Sequence, residues 1–251
     1  MIRRFPTADL LAEAVARHVI DCAGESIAAG GRFIVALSGG STPKRSYERL
    51  ASNDFARLMD WGRTHVLWSD ERCVPPGDPQ SNYRMAKEAL LDRVSIPAEQ
   101  IHRIRGEDPP ACAAAEYEEE LRGLLQSAPI DLVLLGLGED GHTASIFPGQ
   151  PTVRESIRWV MATPAPDGKL WRVTLTPVII NAARNVTFVV SGASKAARLR
   201  QLIEGPLEPD TVPAQTIEPE RGRLTYMADD AALALISHPQ TQPSSRAERG
   251  I

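Results

Sequence analysis

The sequence predicts an α/β protein built on a mainly parallel, Rossmann-like sheet with helices on both faces. Three observations carry that prediction. Short apolar runs at residues 33–37, 65–68, 130–135 and 186–191 alternate with segments of helical period, the pattern of strands joined by crossover helices. The runs at 33–37 and 130–135 are almost continuously apolar, as expected of strands buried on both faces. Each of these two runs then gives way to a glycine-rich polar loop, and in open parallel sheets ligands bind beyond the carboxyl ends of the strands.

Taken in order, Leu10, Leu11, Ala14, Val15, His18, Val19 and Cys22 recur at helical spacing, so the first element expected is an amphipathic helix with His18 packed in the core. The opening stretch MIRRFPTADLLAEAV is read as part of this helix, since Asp9, Glu13 and Arg17 interrupt any signal-like apolar run. Strand 33–37 leads into SGGSTP, where Ser41 or Thr42 is expected to cap the next helix and Pro43 to lie in its first turn. Strand 65–68 runs into Ser69, Asp70, Glu71 and Arg72, then a proline-rich loop before a helix at about 83–94. A charged helix is expected near 111–125, its EYEEE run facing solvent.

Strand 130–135 follows. Residues 158–163 and 172–175 are expected as strands joined by a PAPDG turn, either within the main sheet or as an inserted antiparallel patch. Strand 186–191 precedes a helix ending at Gly205 and Pro206. Residues 224–227 are expected as a last edge strand, with Asp229 or Asp230 capping a short final helix. With no internal repeat or composition shift, residues 1–237 are expected to form one domain, and the polar residues 238–251 a frayed tail.

A hydrophobic content of 43% in 251 residues allows a sizeable core. The net charge of -4 argues against nucleic acid or an anionic membrane as the main partner, so an anionic ligand would need local donors. No apolar run approaches the roughly 18 uncharged residues of a membrane span. Cys22, Cys73 and Cys112 lie far apart without CxxC spacing, which indicates neither a disulfide framework nor a thiolate metal site and fits a reducing cytosol.

Two loops could carry chemistry. In SGGSTP, Gly39 and Gly40 allow close backbone approach, while Ser38, Ser41, Thr42 and a helix N-terminus offer donors to a phosphate. The same residues would equally serve a tight turn with a capped helix. The loop is neither GxGxxG nor GxxxxGK[ST], which favours a small phosphorylated metabolite over a nucleotide. Arg72 and Lys195, each just after an expected strand, are candidate cations for that phosphate.

The second loop, GEDGHT, admits three readings: a general base, a metal site, or a turn satisfying its own backbone. His142 and Asp140 are two residues apart, without HxxxH or cysteine partners, so metal ligation is weakly supported. The absence of a GxSxG elbow likewise disfavours a nucleophilic triad. Base catalysis on water needs an imidazole and a group that fixes its tautomer, roles open to His142 and Asp140.

Together these stretches resemble the 6-phosphogluconolactonase family, within the group that includes glucosamine-6-phosphate deaminases. The resemblance rests on ALSGGSTP at 36–43, WSDERCVP at 68–75, SNYRMA at 81–86, LGLGEDGHTASIFPG at 135–149, RVTLTP at 172–177, SGASKA at 191–196 and PAQTI at 213–217. It implies the deaminase/ribose-5-phosphate isomerase-like form of the fold and hydrolysis of 6-phosphoglucono-δ-lactone to 6-phosphogluconate in the oxidative pentose phosphate pathway. No metal or organic cofactor is implied, and the state expected is a monomer or small homo-oligomer. By motif, His142 is the base, and Ser38 to Thr42 with Arg72 and Lys195 form the phosphate site. Arg172 and Asn82 are further candidates for substrate contact. Deaminases typically read DEY where this chain has Asp70, Glu71 and Arg72, and carry a glutamate where it has Phe147. One departure from the family is the DGKLW stretch between Pro166 and Arg172.

Overall fold

A computed structural model describes residues 1–237; the expectation of a frayed tail at 238–251 lies outside the described residues. Among the described residues nine strands form two sheets. The larger contains β1 (Ile2–Phe5), β2 (Phe33–Leu37), β3 (Thr64–Trp68), β5 (Leu132–Leu135), β8 (Asn185–Val190) and β9 (Arg223–Asp229) in the order β1-β9-β8-β5-β2-β3. All of its pairings are parallel. Every residue of β2 and β5 is buried, which requires cover on both faces and explains why these two runs carry no alternation. The cover is supplied by α1 (Ala8–Gly30), α2 (Ser41–Leu50), α3 (Asn53–Ala56), α4 (Asn82–Ala89), α5 (Pro110–Leu125), α6 (Pro177–Asn181) and α7 (Ala196–Glu204). None of the described helices is long and apolar enough to cross a membrane.

The smaller sheet, β4-β7-β6, is antiparallel and joins β4 (Asp70–Arg72), β7 (Trp171–Leu175) and β6 (Val160–Pro164). Residues 158–175 thus contribute to a separate antiparallel patch and not to the main sheet. Ser69 is the corner between the two sheets. Its N–H donates to Leu37 O of β2 at 2.7 Å, while its carbonyl accepts from Leu175 N of β7 at 2.8 Å.

Several local expectations need correction. The opening stretch is not all helix: residues 2–5 form β1, and the Thr7 hydroxyl caps α1 by accepting from Leu10 N at 3.2 Å. Because β1 pairs with β9, the strand at 223–229 is interior to the sheet and not its edge. Neither Ser41 nor Thr42 caps α2. Gly40, at φ 104°, occupies that position, and no side chain bonds the first turn, which leaves its backbone donors available. The helix expected at 83–94 ends at Ala89. Among the described residues no helix follows β9, for residues 230–235 form turns. The Asp229 carboxylate still accepts from Ala232 N, at 2.8 Å. Within EYEEE, Glu118 is not simply a solvent-facing charge, because it accepts from the backbone N–H groups of Trp159 and Val160 and so fastens β6 to α5.

His18 packs as expected. Its Nε2 lies 3.0 Å from Thr187 Oγ1 on β8, and burial, aided by the nearby charge of Arg3, pulls its pKa down to about 4.

Candidate active site

A cavity of about 470 Å³ opens at the carboxyl ends of β2 and β5. The phosphate-loop residues Ser38, Gly39 and Gly40 line one side, and Gly138, Asp140 and His142 line another. Arg72, Asn82, Arg172 and Lys195 complete the predicted set that reaches it. Ser41 and Thr42 are absent from its lining: they form the first turn of α2, so only the backbone end of that helix faces the site.

The loop after β5 positions the imidazole by short-range geometry. His142 Nδ1 is 2.5 Å from Asp140 Oδ1, and the same oxygen accepts from His142 N at 3.2 Å. Partial burial opposes ionisation of Asp140, but the hydrogen bonds and charge of His142 outweigh it and hold its pKa down to about 2. An ionised acceptor at Nδ1 fixes the proton there and leaves the Nε2 lone pair for chemistry. The ring packs against Phe147 with centroids 4.9 Å apart, yet one third of the side chain is exposed, so solvent and substrate can reach it. A Cβ on Gly138 would lie 2.1 Å from His142 Nδ1, and one on Gly39 would lie 1.9 Å from Asn82 Oδ1. Both glycines are therefore required by the side chains seated against them.

The cationic lining residues come from the smaller sheet and the turn after β8. In the β4–β7 pairing Arg72 stands directly opposite Arg172. Like charges in that relation repel, and the Arg172 guanidinium is accordingly lowered in pKa, chiefly by burial and secondarily by Arg72. Such a pair is relieved by an anion between its members. Arg72 is steadied by a bond from Nη1 to Gln80 O at 2.5 Å. Lys195 lies 3.8 Å from the exposed Glu139 carboxylate. The DGKLW stretch lies in the β6–β7 hairpin, whose turn sets Ala165, Pro166 and Asp167 on the cavity wall.

Asn82 is buried, though it lines the cavity. Its Nδ2 donates to Asp70 O at 2.9 Å and Asp70 Oδ1 at 3.2 Å. Asp70 Oδ2 accepts from Ser145 Oγ at 2.6 Å, and Ser145 N donates to Thr174 Oγ1 at 3.0 Å. Asp70, Ser145 and Asn82 thereby tie the loop after β5 to the smaller sheet.

Asp167 and Ala144 are lining residues that sequence reasoning did not single out. Asp167 looks like a turn residue in PAPDG. Ala144, at φ 46°, holds a left-handed conformation that costs energy for a residue with a Cβ, and no residue type announces it. Among the described residues no group of three or more histidine, cysteine or acidic side chains is placed to hold a metal ion.

The fold and the cavity define a class: α/β proteins with a cavity at the carboxyl edge of a parallel sheet, lined by cationic side chains and an oriented histidine. The chain belongs to the family of glucosamine-6-phosphate isomerases and 6-phosphogluconolactonases, whose model matches residues 6–226. It is 44% identical over 213 residues to a 6-phosphogluconolactonase from Nostoc sp., covering 82% of this chain and 86% of that one. A 6-phosphogluconolactonase from Haemophilus influenzae is 39% identical over 202 residues, covering 80% of this chain and 87% of that one. The structure of 6-phosphogluconolactonase from Trypanosoma brucei superposes with a TM-score of 0.83 at 29% identity, over 94% of this chain and 98% of that one.

Proposed function

We propose that residues 1–237 act as a single catalytic unit hydrolysing 6-phosphoglucono-δ-lactone to 6-phosphogluconate. The observation that carries this reading is the presence, in one cavity, of a histidine oriented through Nδ1 and three cationic side chains. Arg72, Arg172 and Lys195, with the backbone donors at the start of α2, receive the phosphate and so hold the lactone carbonyl near His142. His142 Nε2 takes a proton from water as its oxygen attacks the carbonyl carbon. The tetrahedral oxyanion collapses, the ring C–O bond breaks, and the imidazolium returns the proton to the departing ring oxygen. Asp140 remains ionised throughout and stabilises the imidazolium.

The same cavity disfavours the deaminase reading, because Phe147 packs on the His142 ring where deaminases carry a glutamate, and a phenyl group moves no proton. The deciding experiment follows lactone loss above its spontaneous rate, together with ammonia release from glucosamine 6-phosphate. Accelerated lactone loss without ammonia is expected; ammonia release, or binding of 6-phosphogluconate without turnover of the lactone, overturns the proposal.

A further inference from the structure

Lys195 approaches the cavity on a turn whose shape is set from outside it. Asp229, the last residue of β9, is buried and absent from the cavity lining. Its carboxylate accepts from Ser191 Oγ at 2.5 Å and from Gly192 N at 3.1 Å to each oxygen. Gly192 O in turn accepts from Lys195 N at 3.1 Å. The turn that carries Lys195 thus hangs from one carboxylate on the neighbouring strand. Arg198, just beyond Lys195, donates through Nε to Glu139 O at 3.0 Å, which joins the same segment to the loop that carries His142.

We propose that Asp229 is a positioning residue for substrate binding, fixing the 191–195 turn so that Lys195 is presented to the substrate phosphate. This rests on the reading of Lys195 as a phosphate ligand. Three of the four donor contacts to the Asp229 carboxylate come from Ser191 and Gly192, and the fourth, from Ala232, belongs to the turn after β9. The Gly192 and Ala232 N–H groups can only donate, so both carboxylate oxygens serve as acceptors here; an amide could turn its NH₂ only toward the Ser191 hydroxyl and would take one acceptor away from Gly192 N–H. A flexible lysine side chain contributes most to binding when its backbone is already in place.

The test is a double-mutant cycle on KM and kcat for the phosphorylated lactone. Asp229→Asn is expected to raise KM about three- to tenfold, the range of one or two lost hydrogen bonds, with kcat within about twofold of the wild type. In a Lys195→Ala background the same change should leave KM where Lys195→Ala alone puts it. An equal rise in both backgrounds would mark a general structural effect and overturn the inference. So would an unchanged KM in Asp229→Asn when Lys195→Ala raises it, and that outcome leaves the phosphate reading intact. If Lys195→Ala itself leaves KM unchanged, the phosphate reading fails, and this inference fails with it. Should Asp229→Asn not fold, Ser191→Ala, which deletes one of the contacts, decides by the same cycle.

Discussion

At one end of the cavity His142 and Asp140 stand two residues apart in one loop, whereas at the other Arg72, Arg172 and Lys195 arrive from three separate segments. The first arrangement needs only the local backbone and the tight packing at Gly138. The second exists only once the β4–β7 pairing and the turn after β8 have formed. A reacting proton requires a donor and an acceptor fixed within tenths of an ångström, which a short loop provides. A dianion tolerates several arrangements of surrounding charge, so its ligands can be gathered from distant parts of the chain.

Substitutions should separate the two ends. The largest effect is expected for His142→Ala, with kcat reduced about 10²- to 10⁴-fold and KM little changed; near-normal turnover after subtraction of spontaneous hydrolysis would remove His142 from the mechanism. Asp140→Asn comes next, because it replaces a charge-assisted bond of about 1.5–3 kcal/mol, and should lower kcat roughly ten- to a hundredfold. If KM alone responds, orientation of the imidazole is not its task. At the distributed end, Arg72→Ala and Lys195→Ala should each raise KM about tenfold with smaller changes in kcat. Unchanged KM in both would refute the phosphate site.

The least effect on turnover belongs to His18, which lies in neither half and serves as a control. Its folded pKa of about 4 lies below the ordinary 6.5, so between those values the unfolded chain binds more protons. Its contribution to stability is therefore complete above about pH 6.5, declines as pH falls toward 4, and is constant below. The expected loss is roughly 3 kcal/mol. His18→Gln, which can keep a bond to Thr187 without titrating, should retain kcat at pH 7.5 and narrow the difference between urea midpoints at pH 7.5 and 4.5. An identical difference in variant and wild type would show that His18 is not what titrates.

The same contrast explains what could be read from the residues alone. His142 and Asp140 are legible because they are neighbours in sequence beside their glycines, and β2, β5 and β8 because burial on both faces favours runs that are mostly apolar. Arg72 facing Arg172 depends on the register of a second sheet, and no periodicity encodes a pairing between strands so far apart in the chain. β1 escaped because its four residues, Ile2, Arg3, Arg4 and Phe5, include two charges and form no apolar run. Glu118 escaped because a glutamate that accepts two backbone N–H groups is indistinguishable in sequence from one that faces water.

That first strand has a consequence for how the protein is made. Among the described strands β1 pairs only with β9, so residues 2–5 have no sheet partner until residues 223–229 have been synthesised. During synthesis the central strands can assemble first, while a basic four-residue segment waits, its two arginines discouraging pairing with another nascent chain. Completion of this edge therefore follows assembly of the central strands and waits on a segment far along the chain.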